Sequence, residues 1–143
     1  MATTRIFKFT SLILVLTLVV GLTGCEKWVR PNKVKRILSE DSWRVTNLEV
    51  NETDMEDLLA NVRLGFGDAG SLTILDVQGQ KGGWDVGINK KPTTLYIFGL
   101  LNEPYFNLND DWVVLTCSKT KLTAESDNGG VINKLTLTKV ETD

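Results

Sequence analysis

From Ser42 onward apolar and polar residues alternate in short runs broken by Gly, Asn, Asp and Pro, the period of two that marks half-buried strands. In Ser42 to Val50, Trp43 and Val45 share one parity while Leu48 and Val50 fall on the other, so a bulge is expected near Asn47. Val62, Leu64 and Phe66 alternate with Arg63 and Gly65, Asp68-Ala69-Gly70 reads as a turn, and Ser71 to Val77 returns as a strand. Gln78 to Gly83 reads as a second turn, followed by the alternating Trp84, Val86 and Ile88, a third turn from Asn89 to Pro92, and a strand from Thr93 to Phe98. Gly99 to Asp111 interrupts this rhythm. Its Leu100, Leu101, Tyr105 and Phe106 stand among polar residues, which makes Leu100 to Phe106 a candidate gate. Trp112 to Ser118, Lys121 to Ser126 and Val131 to Val140 complete eight strands, the last two joined through Asp127-Asn128-Gly129-Gly130, a hairpin signal.

Two short helices are expected beside the strands. Pro31 and Asn32 supply start signals for one at about 33–39, with Val34, Ile37 and Leu38 on its buried stripe. Thr53-Asp54-Met55-Glu56 has the form of a capping box opening a second, through about Asn61, with Met55, Leu58 and Leu59 on one face. Tight turns at roughly ten-residue spacing predict an all-β, up-and-down antiparallel barrel rather than βαβ units. Closure removes both unpaired edges of an eight-stranded sheet and lets one apolar face per strand meet inside. The parity assigns to that inner face Trp43, Val45, Val62, Leu64, Phe66, Leu72, Ile74, Trp84, Val86, Ile88, Leu95, Ile97, Val113, Leu115, Cys117, Leu122, Leu135 and Leu137.

The N-terminus has a different pattern. Arg5 and Lys8 precede an apolar run of about Phe9 to Leu22 and then Leu22-Thr23-Gly24-Cys25, the order of a signal peptide. The uncharged stretch is short for a helix spanning ~30 Å of hydrocarbon. Leu22-Thr23-Gly24-Cys25 resembles the lipobox of bacterial lipoproteins. That resemblance implies a leader at residues 1–24, a diacylglycerol on the Cys25 thiol with fatty chains such as palmitate, and a lipid bilayer as partner. Residues 25–33 then form the lipidated Cys and tether, and residues 34–143 the barrel domain. The expected location is the bacterial cell envelope, lipid-anchored to a membrane, the outer one favoured over the inner and the facing side left open.

Composition narrows the chemistry. Removing the 24-residue leader from the 143 residues leaves 119, sufficient for one core. The whole chain has 16 Lys and Arg against 18 Asp and Glu, so no basic field attracts nucleic acid. There are no histidines, which excludes the usual triads and His-ligated zinc sites. No cofactor, metal or enzymatic activity is expected. With Cys25 acylated, Cys117 has no partner for an intramolecular disulfide and reads as a small core hydrophobe.

Several motifs read as structure. Gly65-Phe66-Gly67-Asp68-Ala69-Gly70 matches a dinucleotide fingerprint, but the β-branched, alternating run after Ser71 cannot open the helix that fingerprint needs, so a hairpin turn is expected. Asn107, Asn109, Asp110 and Asp111 lack the spacing of an EF-hand and read as a solvated turn.

The short helix, Asp41-Ser42-Trp43-Arg44-Val45, the hairpins around Gly83-Trp84 and the closing Leu135-Thr136-Leu137 together resemble the lipocalin-like lipoproteins of Gram-negative bacteria over about residues 34–140. Lipocalins proper have Gly-x-Trp where Asp41-Ser42-Trp43 stands here. The resemblance implies an eight-stranded calyx and a small hydrophobic ligand. The candidate site is the interior and gate: Trp43, Phe66, Trp84, Ile97, Leu101, Tyr105, Phe106 and Leu115. The other expectation is a filled barrel that binds a protein or glycan from outside, as an envelope module or inhibitor.

Overall fold

The computed structural model describes residues 29–87 and 92–141. The expected leader, Cys25 and Ile88 lie outside the described residues. Helix α1 (Pro31–Glu40) starts with Pro at its first turn and buries Val34, Ile37 and Leu38, the stripe expected from its spacing. Nine strands follow: β1 (Ser42–Val50), β2 (Thr53–Asp54), β3 (Arg63–Phe66), β4 (Ser71–Ile74), β5 (Lys81–Val86), β6 (Thr94–Phe98), β7 (Asp110–Cys117), β8 (Lys121–Asn128) and β9 (Val131–Lys139). Helix α2 (Glu56–Leu59) lies between β2 and β3, and a 3-10 turn (Tyr105–Leu108) lies between β6 and β7.

Every neighbouring pair is antiparallel, and β9 returns to β1 with Trp43 opposite Lys139, Val45 opposite Leu137 and Leu48 opposite Leu135. The sheet is therefore a closed eight-stranded barrel of β1 and β3–β9, with β2 a two-residue addition to the end of β1. This closed all-β barrel is consistent with a calycin-like fold.

The register defines two ends. The near end holds Ser42, the β3–β4 turn, Cys117 and Lys139; the far end holds Val50, Lys81, Asp110 and the β8–β9 turn. Helix α1 packs at the near end, where the Trp43 indole donates to the Leu38 carbonyl at 3.2 Å and Lys35 pairs with Asp85. The hairpin between β8 and β9 turns on Gly129 and Gly130, both at positive φ, as two-residue turns require.

The β1 register shifts between Val45 and Asn47, so both Val45 and Leu48 face inward despite their opposite parity. A second shift, between Val114 and Thr116, corrects the reading of β7. Trp112 and Val114 point inward, and the bulge brings Cys117 back to the same side. Val113 is only half-buried, and Leu115 is 49% exposed, so neither belongs to the lumen.

The capping box does not form. Asn51 and Glu52, both at positive φ, turn the chain so that Val50 pairs with Thr53, and the Thr53 backbone joins the ladder of β2. Asp54 accepts from the Glu56 amide at the start of α2 instead, at 2.8 Å. The strand expected through Val77 ends at Ile74, where the chain turns through 75–79. On the outer wall, Arg63 grips Asp76 with its Nη2 2.8 Å from Oδ1. That hydrogen bond and its charge hold the Asp76 carboxyl below, and the guanidinium above, their ordinary pKa values.

Gly82 and Gly83, expected in a turn, lie inside β5 because their neighbours occupy the space a side chain would need. A Cβ on Gly82 would meet the Phe98 carbonyl oxygen at 2.6 Å and Leu100 at 3.1 Å, and one on Gly83 would meet the Phe98 ring at 2.3 Å. The two sites differ in which atoms can yield: the half-exposed Phe98 ring can rotate away, whereas its backbone is fixed in the β5–β6 ladder. Gly82→Ala is accordingly expected to cost about 1–3 kcal/mol in urea unfolding, with Gly83→Ala costing less.

Candidate functional site

The lumen is the first place to look for a site. Trp43, Leu48, Leu64, Leu72, Leu95, Trp112, Leu122 and Leu137 expose none of their surface, and Phe66, Trp84, Val86 and Ile97 only 2–3%. A cavity large enough for a guest, ~300 Å³ or more, would leave its walls accessible. These walls touch one another. Phe66 and Trp84 meet edge-to-face with ring centroids 5.1 Å apart, the geometry favoured by aromatic quadrupoles.

The indole N–H groups explain how three tryptophans fit an apolar interior. Besides the bond from Trp43 to Leu38, Trp84 donates to the Gly67 carbonyl at 3.0 Å, and Trp112 donates to the Leu108 carbonyl at 2.9 Å. Each ring fills space while its polar edge reaches backbone at a barrel end, so burial leaves no donor unpaired. The Cys117 thiol is buried, burial pushes its pKa up, and it packs as part of the core.

The candidate gate is pinned. Leu100 is buried over Gly82, and the Asn109 side chain clamps it at both backbone groups: the Leu100 amide donates to Oδ1 at 3.0 Å, and Nδ2 donates to the Leu100 carbonyl at 2.7 Å. Leu108 is fully buried and Tyr105 packs against the core. Leu101 and Phe106, in contrast, are 85% and 54% exposed. Asn109→Ala should remove both clamps at a cost of about 1–3 kcal/mol, and the Leu100 amide should then exchange with solvent faster than its neighbours in β7.

Of the residues expected to form the site, Trp43, Phe66, Trp84 and Ile97 are together in the lumen, packed against each other. Leu101, Tyr105 and Phe106 lie on the far-end loop, and Leu115 lies on the outer wall. Cys25 is outside the described residues.

Two arrangements were missed because their members are far apart in sequence. At the far end, Asp110 Oδ2 accepts from Ser126, Asn128 and Asn133, and Asn133 Oδ1 accepts from the Asn51 amide. Ser126 and Asn133 are buried, so this network ties β7, β8, β9 and the β1–β2 turn together. Asp110 thus works as a structural acceptor; among the described residues no group of three or more Cys, Asp or Glu side chains is placed to hold a metal ion. The second arrangement is a set of bases at the near end: Arg30, Lys33, Lys119 and Lys121.

Shallow hollows lie on the outer wall. One of about 450 Å³ lies beside the end of α1, among Glu40, Asp41, Gly65, Gly67 and Leu75. Two of about 330 and 310 Å³ share Thr138, Lys139 and Glu141 beside β9. Scans against known protein families and against curated proteins find no match to the chain.

Proposed function

We propose that this chain is a lipid-anchored lipoprotein of the bacterial cell envelope that acts by binding, with its barrel as a solid scaffold and its exterior as the working surface. The observation that carries the reading is the filled lumen: side chains of β1 and β3–β9 already occupy the space that a guest would take. The anchor rests on the order of basic residues, apolar run and Leu22-Thr23-Gly24-Cys25. The partner this scaffold suits is a protein or glycan of the envelope, held against a rigid wall that loses little entropy on binding. No catalytic role is assigned, since the barrel carries no histidine and Cys117 is buried.

The barrel fold is also compatible with a small hydrophobic ligand. Exposed Leu101 and Phe106 at the far end favour that second reading, in which the Asn109 clamp opens and the core side chains part. Native mass spectrometry of protein extracted gently from its own membrane separates the two. The first reading predicts the mass of an acylated chain with no small-molecule adduct. A stoichiometric adduct released on collisional activation supports the second reading, and an unacylated chain overturns the anchor.

A further inference from the structure

We propose that the near end of the barrel is a docking face for an anionic bilayer surface, carried by Arg30, Lys33, Lys119 and Lys121; this rests on the anchor reading. The four lie at the same end of the barrel. Arg30 and Lys33 flank the start of α1, Lys33 is near enough to Cys117 for its charge to oppose the larger effect of burial on the thiol, Lys119 lies in the β7–β8 turn and Lys121 opens β8. All four are exposed, and none has a carboxylate partner among the described residues. The other bases of this end behave differently, since Lys35, Arg36 and Lys139 are paired with Asp85, Glu40 and Asp41.

The same end receives the tether. The Val29 carbonyl accepts from Thr93 Oγ1 there, and Cys25 is four residues upstream, a reach of at most ~14 Å for extended chain. An acylated Cys25 therefore holds these bases near the headgroups, where the Debye length is ~8 Å at physiological salt. The near end keeps two acids, Asp68 and Glu141, beside its four unpaired bases, whereas the far end is net acidic even with its own bases Lys81 and Lys134. Glu49, Glu52, Asp54, Glu56 and Asp57 crowd the β1–α2 segment, and Glu103 and Asp127 join them from the loops. An anionic leaflet attracts one end of this charge distribution and repels the other, so the barrel stands with its acidic end outward.

The test uses the lipidated protein reconstituted into vesicles of phosphatidylcholine with or without phosphatidylglycerol. A donor dye is placed at Asp68→Cys, in the near-end turn, or at Glu103→Cys, in the far-end loop, with an acceptor on the headgroups. With phosphatidylglycerol, energy transfer should be strong from the near label and weak from the far one. That contrast should fall in pure phosphatidylcholine, in high salt, and in the variant carrying Arg30→Glu, Lys33→Glu, Lys119→Glu and Lys121→Glu. A contrast insensitive to all three overturns the docking face.

The anchor is read separately, by acyl mass and by retention on uncharged vesicles. If it fails, the full chain is co-sedimented with phosphatidylglycerol vesicles. Loss of retention by at least about tenfold on charge reversal then still supports the face, since each base near an anionic surface contributes about fivefold. Equal retention overturns it. The four side chains are exposed, so an unchanged melting temperature verifies that the variant is folded.

Discussion

Replacing Trp43 by alanine is expected to lower Tm by about 12–20 °C, from a loss of about 3–5 kcal/mol. Trp43 exposes nothing, fills the lumen at the near end, and joins α1 to the barrel through the Leu38 carbonyl. It also stands in the closing ladder opposite Lys139. Alanine removes the ring, leaves a void bounded by β-strands that cannot collapse, and orphans a buried carbonyl. Trp43→Phe keeps most of the volume and loses only the hydrogen bond, so its cost should be about 1–2 kcal/mol. Thermal melts of both variants check the argument. A Trp43→Ala protein that melts within a few degrees of wild type would show that this interior is not packed as described.

In a chain whose residues 1–24 are exchanged for an ordinary cleavable secretory leader, replacing Cys25 by alanine is expected to leave the whole population in the soluble fraction, whereas the natural leader with Cys25 directs it to the membrane pellet. Two or three acyl chains contribute about 0.8 kcal/mol per buried CH₂, and the near-end bases alone give a weaker, salt-sensitive attachment. Fractionation should therefore include a high-salt wash, which strips electrostatic binding and leaves acyl anchoring intact. Since the described core lies between Val29 and Leu137, the variant should keep the wild-type Tm. A variant that stays in the pellet after the wash contradicts acylation at Cys25.

The barrel was legible in the sequence because its strands are short, its turns carry Gly, Asn and Asp, and a parity slip at Asn47 marks the β1 bulge directly. The β7 bulge was not. Trp112, Val113, Val114 and Leu115 are all apolar, so either parity satisfies the pattern, and only the pairing with β8 decides which side faces in. Gly82-Gly83 looks like a turn when read alone, and becomes strand only because Phe98 and Leu100 lie across it from the next strand. At Thr53 the local capping pattern yielded to the Asn51-Glu52 turn, whose backbone conformation is fixed by pairing with β1.

The same reasoning applies to the candidate site. Trp43, Phe66, Trp84 and Ile97 could be placed inside from parity, but parity cannot say whether inward side chains line a space or fill it. That depends on how Trp112 and Leu100, from β7 and the far-end loop, enter the same interior. Asp110 gave no signal for its network, since Ser126, Asn128 and Asn133 reach it only once β8 and β9 are paired beside β7. The near-end bases were equally silent. Arg30 and Lys33 are more than eighty residues from Lys119 in sequence, and folding alone brings them to the same end.

The most direct measurement of a filled barrel is a crystal of the protein pressurised with xenon, which enters apolar cavities and leaves packed cores empty. The account predicts no xenon peak among Trp43, Phe66, Leu95, Ile97 and Trp112. An occupied peak enclosed by those side chains would establish a hollow lumen and return the binding site to the inside of the barrel.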